Sequence, residues 1–472
     1  MTAPLEVVCA DILKRINPSI SERKHVLELA EQLTRKVKDA AEKAGITAEV
    51  RVEGSVAKDT WLSGEPDIDI FMRVPITVPR EAFGTTCLES AKKATEGFKQ
   101  VERFAEHPYL EAVVNDIRVN IVPCYAVKKG EWISATDRTP FHTDFVKPLL
   151  NERLKAEVRL LKRFMKGIGV YGAEIKVGGF SGYLCELLIL NLGSFVHVLE
   201  SIAEWRKRMI IDYAGFYNGR REDAEVIFEE PLVMVDPIDK GRNVAAAVRK
   251  KRLDEFIVAA RSFLKYPHVR FFYARKIEAE DAEGVSHAMK DRGSTLIFVK
   301  FGRIKAVPDI VWGQLYKTQK SLRNMLRQED YTVIRDSVWS DEEDLNLLLF
   351  EVQQRFLPTV KKHLGPPIEK KLECERFLQK HHNASHTIFG PRVEDGRWIA
   401  GVRRKYTDAI ELFREKLSDG GRRVGVGYLI SQSIREGFEV LSNEEILRVY
   451  SSNLEFAKFL TVYLRGKPRW LE

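Results

Sequence analysis

The short segment from Asp67 to Phe71 constrains the fold most, because it sets two acidic residues inside an apolar run. The order Asp-Ile-Asp-Ile-Phe predicts a β-strand whose side chains point alternately to opposite faces. Asp67 and Asp69 then share one face with Cα atoms about 6.6 Å apart, while Ile68 and Ile70 anchor the other face in a core. Two carboxylates at that spacing can bind a pair of divalent ions, although a solvated turn or a helix cap is the commoner setting for an Asp-x-Asp pair.

A Gly-Ser pair precedes this strand, at Gly54 and Ser55. Glycine lets the backbone N–H groups approach phosphate oxygens without a Cβ clash, and the serine adds a hydroxyl. A phosphate-binding loop followed by paired carboxylates favours nucleotidyl transfer.

Several ordered blocks carry a family resemblance. The first contains Gly54, Ser55, Trp61, Leu62, Asp67 and Asp69, and it resembles the nucleotidyltransferase superfamily of polymerase β-like enzymes. Further blocks are similar, in sequence and order, to archaeal class I CCA-adding enzymes: 105–109, 121–125, 137–142, 169–174, 179–183, 236–237 and 242–246. The match is strong over residues 1–250 and looser beyond them.

The resemblance implies an α+β multidomain fold. An N-terminal nucleotidyltransferase mixed sheet with helices is expected, then a central helical domain and a C-terminal α+β RNA-binding domain with a helical insertion. The expected boundaries are 1–145 for the head with its N-terminal helix, 146–265 for the central nucleotide-recognition domain, and 266–472 for the tRNA-binding body and tail, with a tail insertion at about 361–416.

Hydrophobic periodicity predicts the individual elements. Helices are expected at 21–44, 80–101, 151–167, within 182–212, and at 253–264, 316–326, 408–417 and 443–464. Strands or extended runs are expected at 48–52, 68–74, 117–122, 268–273, 295–301, 331–338 and 347–352.

The resemblance also implies a function, which is template-independent addition of C, C and A to the 3′ end of tRNA from CTP and ATP. The tRNA 3′-hydroxyl would attack the α-phosphate and release pyrophosphate. Asp67 and Asp69 would bind Mg²⁺ in a two-metal site, where Mn²⁺ can substitute. Tyr171 would pack against the sugar or base, and Arg242 would read the base edge with help from RNA phosphates. The full set of implied nucleotide-binding residues is Gly54, Ser55, Lys58, His142, Lys162, Tyr171 and Arg242.

Two positions depart from the family pattern. Asn120 stands where a third metal-binding carboxylate is expected, and a neutral amide holds a hard cation less well, so reduced or lost turnover is predicted. Asp116 would lie about 13 Å along the same strand, too far to substitute, and we interpret it as a turn residue. Lys58 replaces the usual Arg, which keeps the charge but loses the planar fork.

Each implied role has a structural alternative. Tyr171 could be a core aromatic beside a glycine turn, His142 a helix-capping residue, and Arg242 a partner of Asp236 or Asp239. The basic face of the helix at 151–167, formed by Arg159, Lys162, Arg163 and Lys166, would on pattern alone be solvated.

Three histidines within the predicted insertion, His381, His382 and His386, raise the question of a zinc site. With no nearby cysteine or second ligand cluster, surface histidines on a basic RNA-facing helix are the favoured interpretation.

The overall composition fits a polyanionic partner. The chain has 76 Lys and Arg against 68 Asp and Glu, a formal charge of +8 and a pI near 9.0. Its five cysteines show no paired spacing and indicate a reducing, cytoplasmic setting. No signal peptide or membrane-spanning run is expected.

The expected partner is tRNA, held by its acceptor stem and TΨC arm, and a homodimer is left open. A non-catalytic tRNA-binding protein is one alternative function. A poly(A) or oligoadenylate synthase is another, although the blocks at 138–142 and 242–246 argue against it.

Overall fold

A computed structural model describes residues 4–104 and 107–471, so Ala105 and Glu106 of the His-Pro block lie outside the described residues. Its contacts divide the chain into two compact units. Unit 1 comprises residues 1–276 and 467–472, and unit 2 comprises residues 277–466.

Unit 1 begins with helices α1 (Leu5–Ile16) and α2 (Ile20–Lys43). A mixed sheet follows, built from β1 (Glu49–Glu53), β2 (Asp67–Val74), β3 (Lys99–Phe104), β4 (Pro108–Val114) and β5 (Ile117–Tyr125) in the order β1-β2-β5-β4-β3. β2 and β5 are parallel, and the other neighbours are antiparallel. The expected mixed sheet is thereby confirmed.

The helices of this region are α3 (Gly54–Lys58) and α4 (Thr86–Ala94), the latter preceded by a 3₁₀ turn at Arg80–Phe83. The predicted helix at 80–101 is therefore wrong at its end. Helix α4 ends at Ala94, Gly97 adopts φ +86° in the turn that follows, and the next residues form strand β3. Asp116 has φ +62° in the turn between β4 and β5, as predicted.

The rest of unit 1 is mainly helical, with α5 (Thr139–Val146), α6 (Glu152–Ile168), α7 (Gly182–Leu192), α8 (Phe195–Ala203), α9 (Arg221–Ile227) and α10 (Lys250–Lys265). Short strands β6 (Met209–Ile211), β7 (Leu232–Asp236) and β8 (Asp239–Asn243) form a small sheet. The helical stretch predicted to reach 212 ends at Ala203.

The extended run predicted at 268–273 is a 3₁₀ turn at Val269–Phe271. The turn directs Phe271 and Phe272 into one aromatic cluster around Phe164, whereas a strand would point these two neighbours to opposite faces. Helix α1 packs into this same core, and Trp470 from the chain's C-terminal end does so as well.

Unit 2 is built on an antiparallel sheet with order β10-β11-β9-β15, formed by β9 (Thr295–Phe301), β10 (Val333–Ser340), β11 (Asn346–Val352) and β15 (Phe438–Ser442). Its helices are α11 (Ala282–Lys290), α12 (Pro308–Gln328), α14 (Ala409–Leu417), α15 (Tyr428–Glu436), α16 (Leu447–Ser452) and α17 (Leu454–Arg465). Helices cover both faces, which gives two separate cores. The α+β architecture is as expected.

The segment predicted as a helical insertion is mostly sheet. Strands β12 (Val360–Pro367), β13 (Thr387–Glu394) and β14 (Arg397–Arg403) pair in the order β12-β14-β13, and α13 (Lys371–His381) packs on one face. The Asp395–Gly396 turn joins β13 to β14 and makes them a hairpin, which accounts for the strands.

The surface prediction for the histidines holds for His382 and His386 but is wrong for His381, which is buried among Phe377, His363 and His386. The His381 ring packs against the apolar ring of Phe377, and this contact keeps it out of solvent. Over residues 4–104 and 107–471, no group of three or more His, Cys, Asp or Glu side chains could hold a metal ion.

Across these described ranges, no single helix has the length and apolar character needed to cross a membrane, and only the bent pair α7 and α8 meets those criteria jointly.

Candidate active site

The acidic face lies where β2 and β5 run in parallel. Their register sets Asp67 beside Arg118 and Asp69 beside Asn120, with all four side chains on one face of the sheet. Arg118 donates two hydrogen bonds to the Asp67 carboxylate, at 2.7 and 2.9 Å. The Asn120 amide donates to Asp69 Oδ1 at 2.9 Å. Both aspartates therefore have a hydrogen-bond donor in this structure.

The environment of Asp69 disfavours its charge. Burial raises the pKa of this carboxyl to about 6, and the neighbouring Asp67 acts in the same direction. The hydrogen bond from Asn120 opposes the shift. A carboxylate in such a position is stabilised by a positively charged ligand.

Gly54 brings the predicted phosphate loop against this carboxylate. It opens α3 with φ +69°, and a Cβ built there would lie 2.2 Å from Asp69 Oδ2. Only glycine allows this approach. Ser55 is the second residue of α3 and is half-buried.

The other end of α3 carries Lys58, which is buried with Lys162 around a single carboxylate. Lys58 Nζ lies 2.5 Å from Glu186 Oε2, and Lys162 Nζ lies 3.3 Å from Glu186 Oε1. Thr60 donates its hydroxyl to Glu186 at 2.6 Å and accepts a hydrogen bond from Lys162 at 3.0 Å. The two predicted triphosphate-binding lysines are thus brought together.

Charge and burial compete within this cluster. Burial lowers the pKa of Lys162, and the charge on Lys58 lowers it further, while Glu186 acts in the opposite direction. Burial alone would raise the pKa of Glu186, but the two lysines bring it below its ordinary value. The two lysines therefore favour the ionised form of Glu186.

The basic face of α6 is not solvated as its pattern suggested. Arg159 is only 1% exposed and donates to the carbonyl of Trp61 at 3.0 Å and to Asp59 Oδ1 at 2.6 Å. Arg163 and Lys166 both pair with Glu65. The solvation prediction is wrong because the loop following α3 folds over this face and supplies acceptors for it.

His142 and Arg242 meet at Asp236. His142 Nε2 lies 2.9 Å from Asp236 Oδ2, Arg242 Nη1 lies 2.6 Å from the same oxygen, and Tyr183 donates to Oδ1 at 3.2 Å. The His142 ring also stacks on Tyr183 with centroids 4.0 Å apart. The alternative partner proposed for Arg242 is confirmed as Asp236, while Asp239 pairs with Arg138.

His142 lies within α5, so it does not cap that helix. Its pKa is lowered by burial, with the hydrogen bond to Asp236 acting in the opposite direction. A neutral imidazole beside a shared carboxylate is suited to hydrogen bonding.

The Tyr171 hydroxyl and Lys162 both lie beside Gly182, so Tyr171 is close to the lysine cluster. A Cβ at Gly182 would lie 3.0 Å from the Tyr171 hydroxyl and 3.4 Å from Lys162 Cε. The Tyr171 ring is half-buried, packs against the central core and has Lys166 Nζ 5.2 Å from its centroid. Its surroundings fit both a core aromatic and a ligand-facing ring.

Sequence reasoning missed Glu186, Arg118, Arg159 and Tyr183. For Glu186 a signal existed, since it is the one charge in the run Leu-Cys-Glu-Leu-Leu-Ile-Leu at 184–190. A carboxylate in so apolar a helix requires a buried partner. Arg118 and Tyr183 carry no comparable local signal.

Sequence comparisons agree with this arrangement. The nucleotidyltransferase domain family matches residues 33–142, the second domain of tRNA nucleotidyltransferases matches 156–273, and the C-terminal domain of CCA-adding enzymes matches 292–443.

Three relatives described as CCA-adding enzymes are similar over nearly their whole length. That of Methanosarcina barkeri is 39% identical, covering 93% of this chain and 94% of the relative. That of Methanothermobacter thermautotrophicus is 36% identical, covering 96% and 97%. That of Pyrobaculum islandicum is 38% identical, covering 93% and 98%. At 36–39% identity over more than nine-tenths of the chain, and with three domain families matched, the chain belongs to the CCA-adding enzyme family.

Proposed function

We propose that this protein is a nucleotidyltransferase that adds C, C and A to the 3′ end of tRNA from CTP and ATP without a nucleic-acid template. Relatives with this name align with more than nine-tenths of the chain. The proposal is carried by helix α3, which connects the two parts of the site. Its first residue, Gly54, lies against Asp69 on the acidic face, and its last residue, Lys58, belongs to the buried lysine pair. Carboxylates beside a cationic cluster suit the transfer of a nucleotide from its triphosphate.

In the reaction, the 3′-hydroxyl oxygen bonds to the α-phosphorus, the hydroxyl loses its proton, and the bond to pyrophosphate breaks. Lys58 and Lys162 bind the triphosphate and stabilise the negative charge of the departing pyrophosphate. Gly54 and Ser55 supply close backbone and hydroxyl contacts. Tyr171 packs against the sugar or base.

Arg242 and His142 serve base recognition in this proposal. Arg242 shares Asp236 with His142, so the carboxylate fixes both side chains in orientation. The exposed part of the guanidinium can then read the base edge, with RNA phosphates as additional partners.

The donor set at positions 67, 69 and 120 fits a divalent cation. Asp67 and Asp69 offer hard carboxylate oxygens, and the Asn120 amide can offer a neutral oxygen in place of a third carboxylate. The raised pKa of Asp69 also favours a cationic ligand. A bound Mg²⁺ pair, or Mn²⁺ in its place, would supply charge stabilisation at the α-phosphate and lower the pKa of the attacking hydroxyl.

Asn120 reduces this activity in our proposal. It contributes no charge, and Arg118 already neutralises Asp67 through two hydrogen bonds. The face therefore offers a cation less net negative charge than three carboxylates would. Weaker metal binding, and slower turnover, should follow.

We assign the tRNA acceptor stem and TΨC arm to the C-terminal region, because A-form RNA is recognised by shape and phosphate contacts. The domain limits 1–145, 146–265 and 266–472, with a tail insertion at about 361–416, belong to this proposal. The proposal also includes a cytoplasmic location. A homodimer is the oligomeric state to test first.

A non-catalytic tRNA-binding protein is the second candidate, favoured by the arginine and amide partners that now hold the two aspartates. A poly(A) or oligoadenylate synthase would instead use ATP alone and give products of indefinite length.

The test is incubation of the chain and its Asn120→Asp variant with Mg²⁺, CTP, ATP and tRNA lacking its CCA end, followed by product sizing on a gel. Addition of three nucleotides, faster in the variant, supports the proposal. Failure of both chains, with tRNA still bound, favours the non-catalytic protein. A ladder made with ATP alone favours the synthase.

A further inference from the structure

A single carboxylate, Glu186, joins the two lysines that the proposed mechanism uses. It lies in the middle of α7, while Lys58 ends α3 and Lys162 lies in α6. The three side chains are 1%, 5% and 3% exposed, respectively. Elements distant in sequence therefore meet at one buried ion cluster.

We propose that Glu186 is the positioning residue that fixes the Lys58 and Lys162 ammonium groups for the triphosphate. The inference rests on the proposed function, since it takes a nucleoside triphosphate as the ligand of both lysines. Glu186 itself need not touch the nucleotide.

The first argument is energetic. A carboxylate in the apolar interior of α7 is strongly unfavourable unless it is paired and hydrogen-bonded. Glu186 uses both oxygens, with Lys58 on Oε2 and Lys162 and Thr60 on Oε1. Its presence is therefore explained by these partners and not by packing.

The second argument concerns charge. With both lysines protonated and Glu186 ionised, the three side chains carry two positive charges and one negative charge in a poorly hydrated place. An anion that approached would relieve this imbalance. Glu186 thus offsets part of the free-energy cost of burying two ammonium groups. The net positive charge that remains attracts phosphate.

The third argument is geometric. Thr60 bridges Lys162 and Glu186, and its backbone carbonyl accepts a further hydrogen bond from Lys162 at 3.1 Å. Lys58 lies in the same short helix as Gly54, whose contact with Asp69 sets the acidic face. The Glu186 carboxylate therefore contacts the residue that ends α3, the same helix that Gly54 begins.

The test compares Glu186→Gln and Glu186→Asp in the full chain, with CTP and ATP affinity measured by equilibrium dialysis in Mg²⁺ and tRNA affinity measured separately. The amide keeps the size but removes the charge, so a lysine left without its counter-charge tends to lose its proton. We expect CTP and ATP affinity to fall at least about tenfold for Glu186→Gln, as for the loss of a buried charged partner. Glu186→Asp should give an intermediate value, and tRNA affinity should not change.

The matched control is Glu157→Gln. Glu157 is also partly buried and accepts a hydrogen bond from the backbone of Phe195 at 2.8 Å, so it has a structural role in the same unit. This variant should lose stability without losing nucleotide affinity. A merely structural Glu186 would behave in the same way, and nucleotide affinity within twofold of the unmodified chain would overturn the proposal.

Two further outcomes distinguish a failure of the Glu186 proposal from a failure to fold and from a failure of the proposed function. If Glu186→Gln does not fold, Glu186→Asp carries the test, and CTP affinity equal to that of the unmodified chain would reject the inference. If nucleotides bind as expected but no addition to tRNA occurs even with Asn120→Asp, the proposed function fails while the role of Glu186 stands. For active chains, KM for CTP should rise more than kcat falls.

Discussion

At the scale of single residues, Asn120 sets the properties of the acidic face. Its amide donates to Asp69, and an aspartate in its place would set a third carboxylate against Asp69 and Asp67. Without metal the added charge is repulsive, and with metal it becomes a ligand. Stability and activity should therefore respond in opposite directions.

For Asn120→Asp we expect a lower melting temperature in EDTA and a larger rise on adding Mg²⁺ than in the unmodified chain. Turnover should increase roughly 10- to 100-fold, the size of effect seen when groups that tune a metal site are changed. Thermal melts over a Mg²⁺ series measure the first effect. Equal Mg²⁺-induced shifts in the two chains would contradict this account.

Gly54 is the second residue whose identity the geometry dictates. In Gly54→Ala the new Cβ would collide with Asp69 Oδ2, and the backbone would retain φ +69°. We expect a loss of unfolding free energy of roughly 1–3 kcal/mol, together with loss of nucleotide addition, because Asp69 must move.

Gly45→Ala provides the control for Gly54. Gly45 has φ +79° with no atom within 4 Å of a built Cβ, so it shares the backbone strain without the contact. Urea denaturation should show a loss for both variants, and the activity assay should distinguish them. Full activity in Gly54→Ala would show that the close approach is unnecessary.

For single residues, the sequence predicted which residues form the candidate site better than it predicted which residues they contact. The strand alternation of Asp67 and Asp69 is local, so it could be predicted and is found. The pairing of Arg118 with Asp67 depends on the parallel register of β2 and β5, and the Lys58–Glu186 pair joins residues 128 positions apart. Such contacts are set by tertiary structure and have no local pattern.

At the scale of elements, the start of helix α14 in unit 2 combines capping with ion pairing. Asp408 precedes α14, accepts a hydrogen bond from Ile410 N at 2.9 Å and pairs with Arg355 at 2.9 and 2.7 Å. Burial alone would raise the pKa of Asp408, but Arg355 and the backbone donor bring it below its ordinary value.

Asp408→Asn should keep the cap and lose the ion pair. Since the pKa is depressed in the folded state, the stabilisation is present above the unfolded pKa of about 3.9 and is lost as pH falls through the folded value. We expect the variant to be less stable by roughly 1–2 kcal/mol near neutral pH, allowing for the partly exposed arginine. The difference should shrink below about pH 4.

Urea denaturation of both chains across this pH range is the measurement. Asp281→Asn is the control, since Asp281 also caps a helix, α11, and forms no ion pair with any residue in the ranges 4–104 and 107–471. Its effect on the free energy of unfolding should be small, because the amide oxygen can still accept the capping hydrogen bond. A constant difference for Asp408→Asn at all pH values would contradict the ion-pair explanation.

Elements with strong periodicity were predicted well, and those decided by long-range packing were not. Strand β9 matches its predicted bounds, and the helix expected at 21–44 is found at Ile20–Lys43. Strand β3 was missed because its residues are partly exposed and show weak alternation. Strand β4 does alternate, with Leu110, Ala112 and Val114 buried, so its local signal was present but was not used. The turn at Val269–Phe271 replaced an expected extended run because its phenylalanines join an aromatic core that no local pattern indicates.

At the scale of the whole molecule, the chain leaves unit 1 at Lys276 and returns to it at Lys467. The returning segment ends in a 3₁₀ turn at Arg469–Leu471. Trp470 is 3% exposed and stacks on Phe271 with centroids 5.1 Å apart. Arg469 donates to the carbonyl of Arg275 at 3.0 Å. Residues more than 190 positions apart thus complete one core.

We therefore expect Trp470→Ala to destabilise unit 1 by about 3–5 kcal/mol, the range for truncating a buried Trp or Phe. Hydrogen–deuterium exchange should increase in α6 and α10, which belong to the Trp470 core, and stay unchanged in β9 and β11. Leu471→Ala is the matched control, because Leu471 is 49% exposed. Equal protection of α6 in both variants would show that the returning segment does not complete the core. Loss of protection in Trp470→Ala alone would show that residues 467–471 stabilise unit 1, which carries the candidate active site.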